Sequence, residues 1–431
     1  MTLSPTPVEA APPRWRFVPG DLDAGSLGAL ETWFERLLAR PLPDTASLER
    51  WLEDESELMS RVSAELARRY VAMTCHTDDP AAKERYLTFE RDVMPRVKVL
   101  GDQLDAKFLA SPGLPGLDLR RYAVLVRKRR SAKEIFRPQN VPLQTEEAEM
   151  QTRQQALMGS LTVHFQGKEH TLQQMAVYGE DQDRGLRERA YRASLDTRRR
   201  AWPELLEIYD RLVRLRTTIA ANAGFSDYVP YRFRELQRFD YDAATCRRFH
   251  DAIAEAVVPA VERCNAARRA RLGLPALRPW DLEVDPEGAP PPRPFATEPE
   301  LIALASRLFA RVDPRFAGEF QILVQNRLLD LMSRKGKAPG GYQYTLEDVR
   351  LPFVFANSVG LHHDLQTLLH EGGHAFHAIL SRDEPLLAYR EAPIEFAETA
   401  SMSMELMGLE HAEEVYPRET ARRVRRKHLE G

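Results

Sequence analysis

Apolar residues recur every third or fourth position through LETWFERLLAR (30 to 40), then through 46 to 75, 80 to 110, 185 to 222 and 240 to 272, with acids and arginines between them. A chain so patterned buries its apolar surface as amphipathic helices packed on one another, which predicts a mainly α fold. With 431 residues and 43% apolar content, there is material for one large core or two to three domain-sized ones. Two stretches break the period. LTVHFQGKEHTL (161 to 172) alternates apolar and polar residues before a turn placed at Gly167-Lys168, which predicts a hairpin. VDPEGAPPPRPF (284 to 295) is too proline-rich for helix or strand and reads as an extended surface linker. The expected organisation is therefore 1–20 without stable structure, a helical region over 21–283, the linker over 284–295, and a second region over 296–431 that carries the chemistry.

Charge and cysteine usage narrow the classes of partner. The 61 basic and 64 acidic residues leave a net charge of −3, with no basic block of nucleic-acid type. RKRR (127 to 130) and RRVRRK (422 to 427) sit in helical patterns with acids nearby and read as solvated faces. Cys75, Cys246 and Cys264 are odd in number and lack metal-like spacing, so they read as buried or idle thiols of a reducing compartment. The first residues, MTLSPTPVEAAPPRWRF, contain no apolar targeting core, and no stretch approaches 18 apolar residues. The expectation is a cytoplasmic protein with no membrane partner.

Within 296–431, LLHEGGHAFHA (368 to 378) sets a puzzle. Glycine inside a helix costs roughly 1 kcal/mol relative to alanine, so Gly372 and Gly373 together give up about 2 kcal/mol of local preference. The surrounding stretch from Leu361 to Ser381 nevertheless has the length and apolar spacing of a buried helix, with Leu365, Leu368, Leu369, Phe376 and Ile379 on one side. His370 and His374 stand at i and i+4, one turn apart on the same face, a spacing that suits a single tetrahedral Zn²⁺. Glu371 falls beside them, placed to take a proton from water that zinc has acidified to a pKa of about 7. Two histidines at this spacing also occur on ordinary surface helices. Here the apolar flanks would bury two imidazoles and a carboxylate without partners, which is expensive.

A catalytic zinc wants a third protein ligand. APIEFAETASMSMELM, starting at Ala392 with Pro393 suited to a first helical turn, carries Glu395, Glu398 and Glu405. Small residues, Ala397, Thr399, Ala400 and Ser401, crowd Glu398 and let a second helix approach closely, which makes it the leading candidate. Glu395 is explained equally by the helix dipole. Glu405, seven positions past Glu398 on the same face, is placed to orient a ligand.

HEGGHAFH followed by FAETAS, with Glu398 twenty-four positions after His374, resembles the thimet oligopeptidase and oligoendopeptidase F family of zinc metallopeptidases. GGYQYT (340 to 345), LPFVFANS (351 to 358), Asp364, LRPWDLEVDPEG (277 to 288), LTVHFQGKEHTLQQM (161 to 175) and DRGLRERAYRA (183 to 193) are similar to stretches of oligoendopeptidase F-like members, so the resemblance spans most of 100–431. It implies one Zn²⁺ held by His370, His374 and Glu398, with Glu371 as general base. It also implies a helical, two-lobed zincin fold with a small β element near the active site, enclosing a channel that admits short unfolded peptides. Asp364 and His377 are the further residues it points to, beside the Glu405 already placed by its helix face; His377 reads equally as a satisfied buried histidine. LPFVFANS fits the edge strand against which a zincin substrate pairs, and Tyr342 and Tyr344 are candidates for substrate contact, with packing the other reading.

Gly373 matches a family glycine that lets backbone pack against the metal helix. Gly372 departs from the bulky apolar residue usual there, and an enlarged space beside the zinc is the one reading the resemblance offers. Two other classes stay open: a helical zinc carboxypeptidase, which would release single C-terminal residues, and a non-catalytic zinc-containing peptide-binding chain, which would show no turnover. Finally, ARRVRRKHLEG (421 to 431) reads as an amphipathic helix, while relatives continue well beyond it with substrate-binding groups. The expectation is a chain that lacks the family's C-terminal part, either as a fragment of a longer enzyme or as one half of a two-chain one, and that is by itself a weak peptidase at best.

Overall fold

The structure is a computed structural model that describes residues 15–430. Helices dominate it, as the apolar period requires. Leu27–Ala39, Thr45–Cys75, Pro80–Thr88, Met94–Leu109, Leu119–Ile135 and Val141–Ser160 build the first part. Thr45–Cys75 starts where Asp44 accepts from the Ser47 amide at 2.8 Å and Ser47 Oγ accepts from the Asp44 amide at 3.2 Å. Its buried positions, Leu48, Trp51, Leu52, Leu58 and Val62, meet Leu30, Phe34 and Leu37 in the first core. Residues 15–20, expected to lack structure, belong to this core: Val18 is 2% exposed, Trp15 and Phe17 pack on it, and the Phe17 amide donates to Glu57 at 2.8 Å. The remainder of that expectation, 1–14, lies outside the described residues.

Arg184–Asn222 and Ala243–Arg271 are the long helices of the middle of the chain. The hairpin forms from β1, Thr162–Phe165, and β2, Lys168–Thr171. Its turn sits one residue earlier than the sequence reading placed it, because Phe165 pairs with Lys168 and both Gln166 and Gly167 take positive φ (49° and 77°), as a two-residue mirror-image turn demands. Residues 284–295 carry no helix or strand, and buried Val284 and Phe295 anchor their ends. Two stretches far apart in sequence meet at Asp281, which is fully buried and accepts from Arg184 Nε at 2.9 Å, Arg187 Nη2 at 3.1 Å and the Arg278 amide at 2.9 Å.

The second core lies under a three-stranded sheet, β3 Leu329–Met332, β4 Tyr342–Leu346 and β5 Leu351–Ser358. The strand order is β3-β5-β4, with β3 parallel and β4 antiparallel to β5. LPFVFANS is thus the central strand and not the edge. Its nearly unbroken apolar run is the pattern of a strand covered on both faces, and β4 takes the edge position. Val354 and Ala356 of β5 pack on Leu365, Leu368, Leu369, Phe376 and Ile379 of the helix His362–Ser381, and on Leu301, Leu304, Leu308 and Phe309 of Glu298–Val312.

Buried charges tie the first helices to this sheet. In the β4–β5 turn, Asp348 pairs with Arg68 at 2.7 Å and Arg61 at 3.5 Å, and Glu347 pairs with Arg390 at 2.8 Å. Arg127 and Arg130 of the first basic run and Arg422 and Lys427 of the second are exposed, while other members of both runs make internal contacts. Arg129 is bonded to Glu55 at 2.5 and 2.9 Å and to Asp105 at 2.7 Å, with its side chain 14% exposed. Arg423 pairs with Asp285, Arg425 with Glu413, and Lys427 with Glu180 and Glu283. Cys75 is buried and Cys264 exposed, neither in a disulfide. Among the described residues, no helix is long and apolar enough to cross a membrane.

Candidate active site

The helix His362–Ser381 is the motif helix. It begins at a box in which Asp364 Oδ2 accepts the amides of Val359 and Leu361 at 2.7 and 2.8 Å. Its two imidazoles lie on one face, ring centroids 4.9 Å apart and nearly perpendicular at 84°. Across from them runs the ligand helix, Ile394–Glu410, for which Pro393 is the N-cap. Glu398 Oε2 reaches 3.3 Å from His370 Nε2 and 3.8 Å from His374 Nε2. The ligand atoms of these three residues all lie within 4.8 Å of one another.

What lets the two helices close on each other is the glycine pair. A Cβ at Gly373 would stand 2.6 Å from Ser401 Cα and 2.7 Å from the Ala400 carbonyl, so backbone meets backbone there. A Cβ at Gly372 would stand 2.5 Å from Phe309 Cζ. The space at Gly372 is therefore filled by a core aromatic ring and is not an enlargement beside the metal site.

His370 Nδ1 bonds Glu405 Oε1 at 2.7 Å. A carboxylate can only accept, so Nδ1 carries a proton, and in the neutral ring Nε2 is left with a lone pair toward Glu398. The Glu405 bond is the main reason the His370 pKa lies above its usual value, whereas burial holds His374 below it. A lone pair and a carboxylate 3.3 Å apart repel one another unless a proton or a metal ion stands between them. Two imidazole nitrogens and one carboxylate oxygen make a donor set that fits zinc with a fourth position open to water or substrate.

Glu371 lies next to this cluster. Burial pushes its carboxyl up to about 7, with Glu398 adding to the rise and His370 opposing it. Its Oε2 is buried without a hydrogen-bond partner. Oε1 faces Gly341, where a Cβ would come within 3.1 Å. Gly341 thus gives the carboxylate its room.

A sequence model of peptidase family M3 matches residues 177–431, more than half the chain and all of the cluster. The chain belongs to peptidase family M3. A 236-residue stretch is 24% identical to an oligoendopeptidase F homolog of Lactococcus lactis subsp. lactis (strain IL1403), covering 52% of this chain and 36% of that protein. The matched part thus spans little more than a third of the curated relative's length. An X-ray structure of a protein assigned as oligoendopeptidase F superposes with a TM-score of 0.89 at 27% identity, over 97% of this chain and 73% of that one. PZ peptidase A, solved with an inhibitor, superposes with a TM-score of 0.88 at 27% identity, over 94% of this chain and 72% of that one.

Among the other candidates of this M3 chain, Asp364 caps the motif helix, and its burial raises its pKa against the backbone amides that lower it. His377 is half-buried on the motif helix. Tyr342 bonds Thr74 Oγ1 at 2.6 Å and stacks on Phe355 at 4.6 Å, and Tyr344 lies 5.8 Å from the Tyr70 ring. Both tyrosines pack the sheet onto Thr45–Cys75. Glu395 bonds Arg238 at 2.7 Å and Tyr241, away from the histidines. Gly341 and the Ser401 hydroxyl were not picked out from the sequence. GGYQYT and the small residues around Glu398 were the available signals.

Proposed function

We propose that this chain is a zinc-dependent endopeptidase that hydrolyses short unfolded peptides. The reading is carried by the convergence of His370, His374 and Glu398 within 4.8 Å, next to a buried Glu371 with an unpartnered Oε2. Zinc held by these donors supplies Lewis acidity, polarising a peptide carbonyl and acidifying water. Glu371 accepts a proton from the attacking water and delivers it to the departing amine, a dual task suited to a carboxyl whose pKa burial has raised. Glu405 keeps the His370 proton on Nδ1. At the sheet edge, β4 offers main chain along which an extended peptide can pair, and such pairing is indifferent to side-chain identity. The relatives named oligoendopeptidase F support cleavage within peptides.

The test is an assay of the purified chain on quenched peptides of graded length, with and without chelator, beside a folded protein. Internal cuts of short peptides, abolished by chelator, are expected, and the folded protein should survive. Rapid digestion of that protein at native sites would sink the enclosed architecture, and release of single C-terminal residues would favour a carboxypeptidase. The proposal includes a further helical segment seated on the outer face of the ligand helix, where Phe396, Met402 and Leu406 are 70%, 58% and 52% exposed. The same assay, repeated with a relative's C-terminal segment supplied separately, should show higher turnover, and an unchanged rate removes this part.

Metal content tests the ligand set. The wild-type chain is expected to carry about one zinc, and His374→Ala and Glu398→Ala to carry far less at equal free zinc, because each removes one of three protein ligands. Undiminished zinc in either variant takes that residue out of the set.

A further inference from the structure

We propose that Ser401 is a positioning residue for Glu398, holding the carboxylate oxygen that faces the two histidines; this rests on the zinc-site reading above. Ser401 is fully buried on the ligand helix, three residues past Glu398 and so on the same face. Its Oγ lies 3.0 Å from Glu398 Oε2 and 3.0 Å from the Glu398 carbonyl oxygen. A hydroxyl has one proton to give. In an α-helix that carbonyl already accepts from the amide four residues on, whereas the carboxylate is charged, and a charge-assisted bond is the stronger one. The proton goes to Oε2, the same oxygen that stands 3.3 Å from His370 Nε2 and 3.8 Å from His374 Nε2.

The need for such a hold comes from exposure. The Glu398 side chain is 42% exposed, and Ser401 donates the one hydroxyl bond to its carboxylate among the described residues. Without it, water competes for the carboxylate and the side chain samples rotamers that point Oε2 elsewhere. Ser401 can serve as a fixed point because its own Cα is pinned. Gly373 of the motif helix lies directly against it, so near that a Cβ there would come within 2.6 Å. The hydroxyl therefore links two distances, the spacing of the helices and the reach of Glu398 to the histidines.

The experiment measures zinc affinity of the full chain by competition with a chromophoric chelator. It uses four proteins: wild type, Ser401→Ala, Glu398→Ala and the double variant, with metal-free unfolding followed alongside. Ser401→Ala is expected to weaken zinc binding about 10- to 100-fold, the range seen when an outer partner of a metal ligand is removed. In the Glu398→Ala background the serine change should cost nothing further, since the group it holds is gone. A merely structural role would produce the same loss in both backgrounds, and that result overturns the proposal, as does wild-type affinity in Ser401→Ala. A wild-type chain without zinc affinity overturns both the zinc site and the role of Ser401, whereas a failure confined to Ser401→Ala leaves the zinc site standing.

Discussion

Glu371→Gln is expected to keep the fold and the zinc while lowering peptide hydrolysis by about 10²- to 10⁴-fold, the usual range for loss of a positioned base. Glutamine has nearly the same shape, so the room made by Gly341 still accommodates it. What changes is chemistry alone: an amide cannot take the proton from water. Stability of the metal-free protein should not fall, because the buried Glu371 Oε2 makes no hydrogen bond that the substitution would break and the cost of ionising a buried carboxyl is removed. Unfolding in denaturant, zinc content and kcat on a quenched peptide would be read on the same preparation. Turnover within a few-fold of wild type, with zinc retained, would show that the base lies elsewhere.

Much of this site could be read from spacing within single elements. The periodicity of one helix places His370 and His374 a turn apart, and that of another places Glu398 and Glu405 on one face, where the structure indeed finds Glu405 bonded to His370. Spacing of this kind fixes which residues share a face. It says nothing about what that face meets. Glu395 remained a rival ligand because Arg238 and Tyr241, which engage it, lie some 150 positions earlier. The role of Gly372 stayed obscure for the same reason, its neighbour Phe309 belonging to a different helix.

The sheet shows the limit most clearly. An apolar strand ahead of the motif helix was read as the substrate-facing edge, yet the order β3-β5-β4 puts it in the centre. A continuous apolar run is the mark of burial on both faces, and here that mark outweighs adjacency in sequence. Tyr342 and Tyr344, on the true edge strand, point their rings at Tyr70 of the long helix. Arg129 turns inward although charge runs are usually solvated, because its two partners, buried Glu55 and half-buried Asp105, belong to other helices.

The two adjacent glycines of the motif helix should respond differently to alanine. At either position alanine gains about 1 kcal/mol of helix preference, and at either position a clash opposes it. At Gly373 the obstacle is backbone, Ser401 Cα at 2.6 Å, the Ala400 carbonyl at 2.7 Å and the Ser401 amide nitrogen at 3.0 Å, and backbone yields only if the helices part. Those helices carry the proposed ligands, His374 next to the glycine and Glu398 three residues before Ser401. At Gly372 the obstacle is the Phe309 ring, held edge-on by Phe320 at 5.0 Å and Phe376 at 4.8 Å, so the strain enters the core and leaves the ligand spacing alone. Overpacking of this kind costs typically about 1–3 kcal/mol, which exceeds the gain in preference. Both variants are therefore expected to unfold at lower denaturant than wild type when metal-free. Gly373→Ala alone should also lose zinc affinity in its folded state, by a factor of ten or more on the order seen when ligand support is disturbed. If Gly373→Ala binds zinc as tightly as wild type, the contact with Ser401 does not set the geometry of the site; if Gly372→Ala loses zinc equally, the division between core and ligand faces of this helix is drawn in the wrong place.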